Sequence, residues 1–190
     1  MSHDVLAVTG TPGVGKKTIG ALLAHRLGFK LLELNPYATE IGAILGEDEH
    51  EFIVDEIKLR KATKPLIDNG RIVIVGHLAP HVMTANETDL VVVLRCHPSE
   101  LRKRLGTRQY PGRKMLENLG AEVLDEILTD SINRFGIKKV AEFDTTSRDK
   151  HLVVEDVYQT FIGNRPPRRG MINWVNELSS KAKLEEYFNY

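Results

Sequence analysis

Apolar residues gather along the chain in short continuous runs, separated by longer stretches in which they recur at helical spacing. The runs are VLAVT (Val5–Thr9), FKLLEL (Phe29–Leu34), RIVIVG (Arg71–Gly76), LVVVLR (Leu90–Arg95) and VAEFDTT (Val140–Thr146). A strand with only one face in the core would alternate apolar and polar residues. Unbroken runs predict strands buried on both faces, as in a parallel sheet covered by helices above and below. Helical period marks Lys16 to Leu27, the polar region as far as Asn69 with a break near GEDEHE, and SELRKRLGTRQ behind Ser99 as a cap candidate. It continues through RKMLENLGAEVLDEILTDSINRF as one long helix with a single glycine, then Asp149–Ile162, and after GNRPPRRG a last helix over Ile172–Tyr187. Strands alternating with helices predict one three-layer α/β domain over residues 1–190, with a five-stranded parallel sheet. There is no internal repeat and no low-complexity tract.

Composition narrows this picture by exclusion. The chain has 190 residues, 42% of them hydrophobic and 27% charged, which suits a globular domain with a full core. Lys+Arg and Asp+Glu both number 26, so bulk charge gives no argument for nucleic acid, and no sequence-specific nucleic-acid binding is expected. The single cysteine, Cys96, excludes an internal disulfide and a cysteine zinc site, and its place after a buried strand suits a small core residue. No run approaches the ~18 apolar residues of a membrane span. The N-terminus leads straight into the first strand without a basic segment and apolar leader, so a cytoplasmic protein is expected.

The chemistry starts at TGTPGVGKKT, between the first strand and the first helix. A phosphate-binding loop G-x-x-x-x-G-K-[ST] uses glycines so that backbone N–H groups close on phosphate, a lysine for the β- and γ-phosphates, and a hydroxyl for Mg²⁺. Gly10, Gly15 and Lys16 fit, with Thr11, Pro12, Gly13 and Val14 completing the loop. The hydroxyl position holds Lys17, and Thr18 comes one residue late, turned by ~100° on a helix. A nucleoside phosphate, ATP or ADP, is the expected ligand.

Beyond this loop, VDEIKL, VVVLRCHP, RLGTRQY, RKMLENLGAEVLDE and FDTTSRD follow in an order that resembles the adenylate kinase 6-like family, over about Val5 to Phe161. That resemblance implies a P-loop NTPase fold carrying a nucleoside-monophosphate (NMP) region at about 35–68, a short lid at about 109–114 and a C-terminal helical extension at about 164–190. It implies adenylate kinase chemistry on ATP and AMP with ATPase activity. It also implies a part in small ribosomal subunit maturation, through a platform ribosomal protein and small-subunit precursors. Residue by residue, Arg104 and Arg108 resemble the pair that contacts ATP beside the lid, with Arg113 and Lys114 as further cations. Thr145–Arg148, including Thr146 and Ser147, resembles the adenine loop, His77 the motif histidine, and Arg60 a partner for the monophosphate. The family's Asp-x-His after the third strand is replaced here by Val75, Gly76 and His77.

Lys17 and Val75 therefore depart together at the Mg²⁺ site, so protein ligation of the metal is doubtful and no metal ligand is assigned. An ammonium repels the ion, although phosphates and waters alone could hold it while Lys17 faces solvent. His77 and His81 lie four apart but lack a third ligand at metal spacing. NRPPRRG is either a stiff linker or a contact for RNA or a ribosomal protein, and Trp174 is expected to anchor the last helix. Two functions stay open. One is an adenylate kinase-like phosphotransferase; the other is a nucleotide-binding ribosome assembly factor with weak or no kinase activity because of Lys17 and Val75.

Overall fold

The parallel sheet forms, and the alternation inside each apolar run decides which layer a side chain enters. The computed structural model describes residues 4–48, 51–107 and 112–188. Strands β1 (Val5–Thr9), β2 (Lys30–Glu33), β5 (Ile72–Val75), β6 (Leu90–Arg95) and β7 (Val140–Asp144) lie in the order β2-β5-β1-β6-β7, every pairing parallel. Leu6, Val8, Val73, Val75, Val92 and Leu94 face one layer, with helices α1 (Lys16–Leu27) and α8 (Lys150–Phe161). Val5, Ala7, Ile72, Ile74, Val91 and Val93 face the other, with α3 (Glu56–Asp68), α4 (Ala79–Val82) and α7 (Glu126–Phe135). Strands β5, β1 and β6 are buried throughout, which is why their runs show no polar alternation, whereas the edge strand β2 is partly exposed. This is the P-loop NTPase three-layer fold. Among the described residues, no helix is long and apolar enough to cross a membrane.

Four elements differ from expectation. The region before α3 holds a helix α2 (Leu34–Glu40) and then an antiparallel ribbon, β3 (Ile44–Asp48) with β4 (Glu51–Val54), where only helical and polar material was expected. The ribbon leaves Leu45, Phe52 and Ile53 exposed, so its sequence lacks the period of a half-buried strand. The long helix predicted over 113–135 is two, α6 (Gly112–Val123) and α7, divided where Asp125 takes a left-handed φ of 58°. Its carboxylate pairs with the buried Arg95 guanidinium, a contact unavailable to a continuous helix. Helix α5 (Pro98–Gly106) is capped by His97, whose Nδ1 accepts from the Ser99 N–H, rather than by Ser99. The last helix is only α9 (Trp174–Ser180), capped by Asn173; beyond it Ala182 turns left-handed and a short 3₁₀ turn follows at Leu184–Tyr187.

Candidate nucleotide site

Strand β1 ends at the phosphate loop and α1 begins with its lysines, so the loop lies at the carboxyl edge of the sheet, where open α/β sheets take their ligands. Gly10 has φ 136°, and a Cβ there would lie 2.4 Å from the Leu94 carbonyl oxygen; at Gly13 (φ 95°) it would meet Leu101 at 2.7 Å. Only glycine fits such backbone beside such neighbours. Lys16 Nζ folds over the loop, donating to Gly10 O (2.6 Å) and Thr11 O (2.9 Å). Two lysines open α1 and no acid stands in its first turn. Cations at a helix N-terminus oppose the macrodipole, an arrangement that a bound anion would relieve. Below lies a cavity of about 340 Å³. Pro12, Gly13, Gly15, Lys16, Lys17 and Thr18 line one side; Phe52 and Val54 of the ribbon, with Asn35 and Pro36, line the other. Val75, Gly76 and His77 close the sheet edge between them.

The remaining loop residues face inward. Val14 is fully buried, and its carbonyl accepts from Thr145 Oγ1 at 2.9 Å. The Thr11 hydroxyl is buried too and donates to Glu122 Oε2 at 2.7 Å. Arg104, on α5, reaches across to the β7–α8 loop, with Nη2 2.9 Å from Thr145 O and Nη1 3.3 Å from Thr145 Oγ1. Thr146 Oγ1 accepts from the His97 N–H at 2.7 Å, and Ser147 adopts a left-handed φ of 47°. Arg104 and the Thr145–Arg148 loop, far apart in sequence, thus meet beside the phosphate loop. Arg108, the second of the two paired arginines, and Gln109, Tyr110 and Pro111, the first half of the lid expected at about 109–114, lie outside the described residues.

Arg60 stands elsewhere. Its guanidinium donates to Val82 O (2.6 Å) and Glu87 Oε1 (2.7 Å), tying α3 to the turn after α4, and it does not line the cavity. Burial raises the Glu87 pKa, but hydrogen bonds from Arg60 and Thr84 outweigh this and hold it at about 2. His81 pairs with Glu56 at 3.0 Å and is absent from the cavity lined by His77. Among the described residues, no group of three or more His, Cys, Asp or Glu could hold a metal.

Lys17 and Val75 occupy the two positions expected to ligate Mg²⁺. Lys17 Nζ lies 2.7 Å from Glu33 Oε2, the lysine side chain 71% exposed and the glutamate 27%. Val75 is 4% exposed and packed so closely on α1 that a Cβ on Gly20 would lie 2.3 Å from its Cγ2. One position therefore offers an ammonium and the other a methyl group, and neither fits an ion that requires oxygen. Glu33 escaped the sequence reading. Its signal was an acid near the end of an apolar run, at the carboxyl edge of the sheet where ligands bind.

Glu122 was missed as well, because it sits inside a predicted helix. Its carboxylate accepts from Thr11 Oγ1, Arg95 Nε (2.8 Å), the Cys96 N–H (3.1 Å) and Trp174 Nε1 (3.1 Å). Arg95, 2% exposed, also meets Asp125 and Glu142. Cys96 is buried, as expected, and burial pushes its thiol up to about 11. Trp174 anchors α9 through Glu122 and packs edge-on to His97. The NRPPRRG segment runs beside β7: Glu142 N donates to Arg168 O (2.8 Å), and Arg165 pairs with Asp156.

Comparison with known proteins agrees with this geometry. Residues 6–125 match the AAA domain family. A Methanocaldococcus jannaschii protein named "Putative adenylate kinase" is 33% identical over 187 residues, covering 97% of this chain and 96% of its own. One of the same name from Thermococcus kodakarensis is 39% identical over 171 residues, covering 90% and 92%. Shikimate kinase from Acinetobacter baumannii shares the fold with a TM-score of 0.59 at 18% identity, over 85% of this chain and 94% of that one. The chain belongs to the AAA-domain family of P-loop proteins, to which these archaeal relatives are joined by 33–39% identity over most of their length.

Proposed function

We propose that the protein is a nucleoside-monophosphate kinase of the adenylate kinase type, transferring the γ-phosphoryl group of ATP to AMP. The observation that carries this reading is a cavity lined both by the phosphate loop and by the ribbon. It has a donor end and an acceptor end, as direct transfer between two nucleotides requires. The backbone N–H groups of the 10–15 loop other than Pro12, together with Lys16, hold the donor phosphates, while Arg104 and the 145–148 loop flank the adenosine side. His77 faces the cavity and orients the acceptor or a water. Positioning and fixed charge do most of the work in such transfers, so no covalent enzyme intermediate is needed. The archaeal relatives' name supports the same chemistry. ATPase activity is the same reaction with water as acceptor.

A second reading is favoured by Lys17 and Val75: a nucleotide-binding assembly factor of the small ribosomal subunit with little turnover. ADP formation from ATP plus AMP, with Mg²⁺ titrated from zero, separates the two. Robust turnover that Lys16→Ala abolishes supports the kinase; tight binding without turnover supports the factor. Lys16→Ala should weaken ADP binding ~10- to 150-fold, the equivalent of ~1.5–3 kcal/mol for hydrogen bonds to charged groups. Unchanged affinity removes the phosphate-loop assignment. For the ribosomal role, a pull-down in both nucleotide states should recover a small-subunit platform protein, and its failure to do so counts against that role.

A further inference from the structure

Glu33 and Val75 are partners across the β2–β5 ladder, so their side chains leave the sheet on the same face, toward the start of α1. The acid missing from β5 thus has a counterpart one strand outward, and the ammonium of Lys17 holds it at 2.7 Å. Both line the same cavity as Lys16 and Thr18. The pair is mostly solvated on the lysine side, and such pairs are held weakly. A polyphosphate offers the same ammonium several charged oxygens beside a helix N-terminus, where anions are favoured. Glu33 partly offsets the charge of two adjacent lysines, and phosphate would offset it more fully.

We propose that Lys17 is the site's built-in counterion: it leaves Glu33 for the β- and γ-phosphate oxygens, so that the site takes a nucleoside polyphosphate without needing a divalent ion, and Glu33 sets how readily Lys17 is released. This rests on reading the cavity as a nucleotide site. The buried Val75 supports it, because the methyl wall gives a hydrated divalent ion no oxygen partner on that side.

The test is calorimetry with the β,γ-imido analogue of ATP, which does not turn over, in EDTA and in excess Mg²⁺. The natural protein should bind both forms within about threefold of each other, a small difference on a scale where tenfold is one step. Lys17→Thr should lose about tenfold or more for the metal-free analogue, the loss of a charge-assisted contact. It should recover affinity with Mg²⁺, since Glu33 is then unpaired beside a hydroxyl. Lys17→Arg should keep metal-free binding. Glu33→Gln should bind the metal-free analogue severalfold more tightly, and that gain should vanish when Lys17 is already threonine, because the two act as a coupled pair. Tight binding by the natural protein only with Mg²⁺ would overturn the proposal, as would Lys17→Thr binding the metal-free analogue unchanged. An equal gain from Glu33→Gln in both backgrounds would reduce Glu33 to a distant repulsive charge and remove its role. If neither form of the analogue binds at all, it is the nucleotide-site reading itself that fails.

Discussion

Lys16 and Arg104 are both cations beside the phosphate loop, yet their surroundings give them different duties. Lys16 rests on carbonyls of the loop that it would share with phosphate, whereas Arg104 holds the Thr145 carbonyl through its guanidinium and is braced by Glu100 at 3.4 Å. Arg104 therefore fixes the 145–148 loop against α5 as well as lending charge. Arg104→Ala should lower turnover far more than it lowers the melting temperature, because one half-buried contact is a small part of the fold but sits beside the adenosine end. A fall in melting temperature with turnover intact would make it a purely structural clamp. Arg60 shows what residue identity alone leaves out: the sequence presents an arginine in the NMP region, and the fold adds Glu87 as its partner.

At the scale of elements, that Arg60–Glu87 contact pins α3 against the turn at Ala85–Glu87, where Thr84 and Glu87 form a reciprocal cap. The Glu87 carboxyl is held at about 2 against an ordinary 4.5. A depressed carboxyl contributes stability that is complete above 4.5 and lost as pH falls toward 2. Glu87→Gln should therefore destabilise the protein near neutrality and flatten the acid limb of its stability curve in that window, as read by urea unfolding at stepped pH. An unchanged acid limb would show that other carboxylates dominate it. The same elements explain what the sequence could express. The central strands β5, β1 and β6 were legible because burial on both faces leaves nearly uninterrupted Val, Ile and Leu, and the loop was legible because phosphate demands glycines at fixed spacing. The ribbon was not, since its residues answer to a cavity rather than to a core. Nor was the break at Asp125, because its cause, Arg95, lies thirty positions earlier at the end of β6.

For the whole molecule, Glu122 is the junction. It joins the phosphate loop through Thr11, the sheet through Arg95 and Cys96, and the C-terminal segment through Trp174. Removing it leaves a buried guanidinium short of a partner and three more donors unpaired. Glu122→Ala should cost about 3–5 kcal/mol of stability, the range for breaking a buried ion pair, measured by denaturant unfolding. A loss below ~1 kcal/mol would mean that Asp125 and Glu142 suffice for Arg95. Trp174 is the only tryptophan, and its indole shares that carboxylate with Thr11. Its emission should change when nucleotide enters the loop, and Thr11→Val should diminish the change.

The NRPPRRG segment has a consequence that concerns other molecules of the same chain. Strand β7 is the outer strand of the sheet, and an open edge offers N–H and C=O groups to any strand that arrives. Arg168 takes the Glu142 N–H, and the Glu142 carboxylate in turn gathers the N–H groups of Met171 and Ile172. Two prolines in this segment lack the donors needed to extend a ladder outward. The segment thus works as a selvedge, finishing the sheet so that it does not unravel into pairing with its neighbours. A chain cut after Gly163 should lose solubility before it loses its secondary structure, clumping through β7 at concentrations where the full chain stays dispersed.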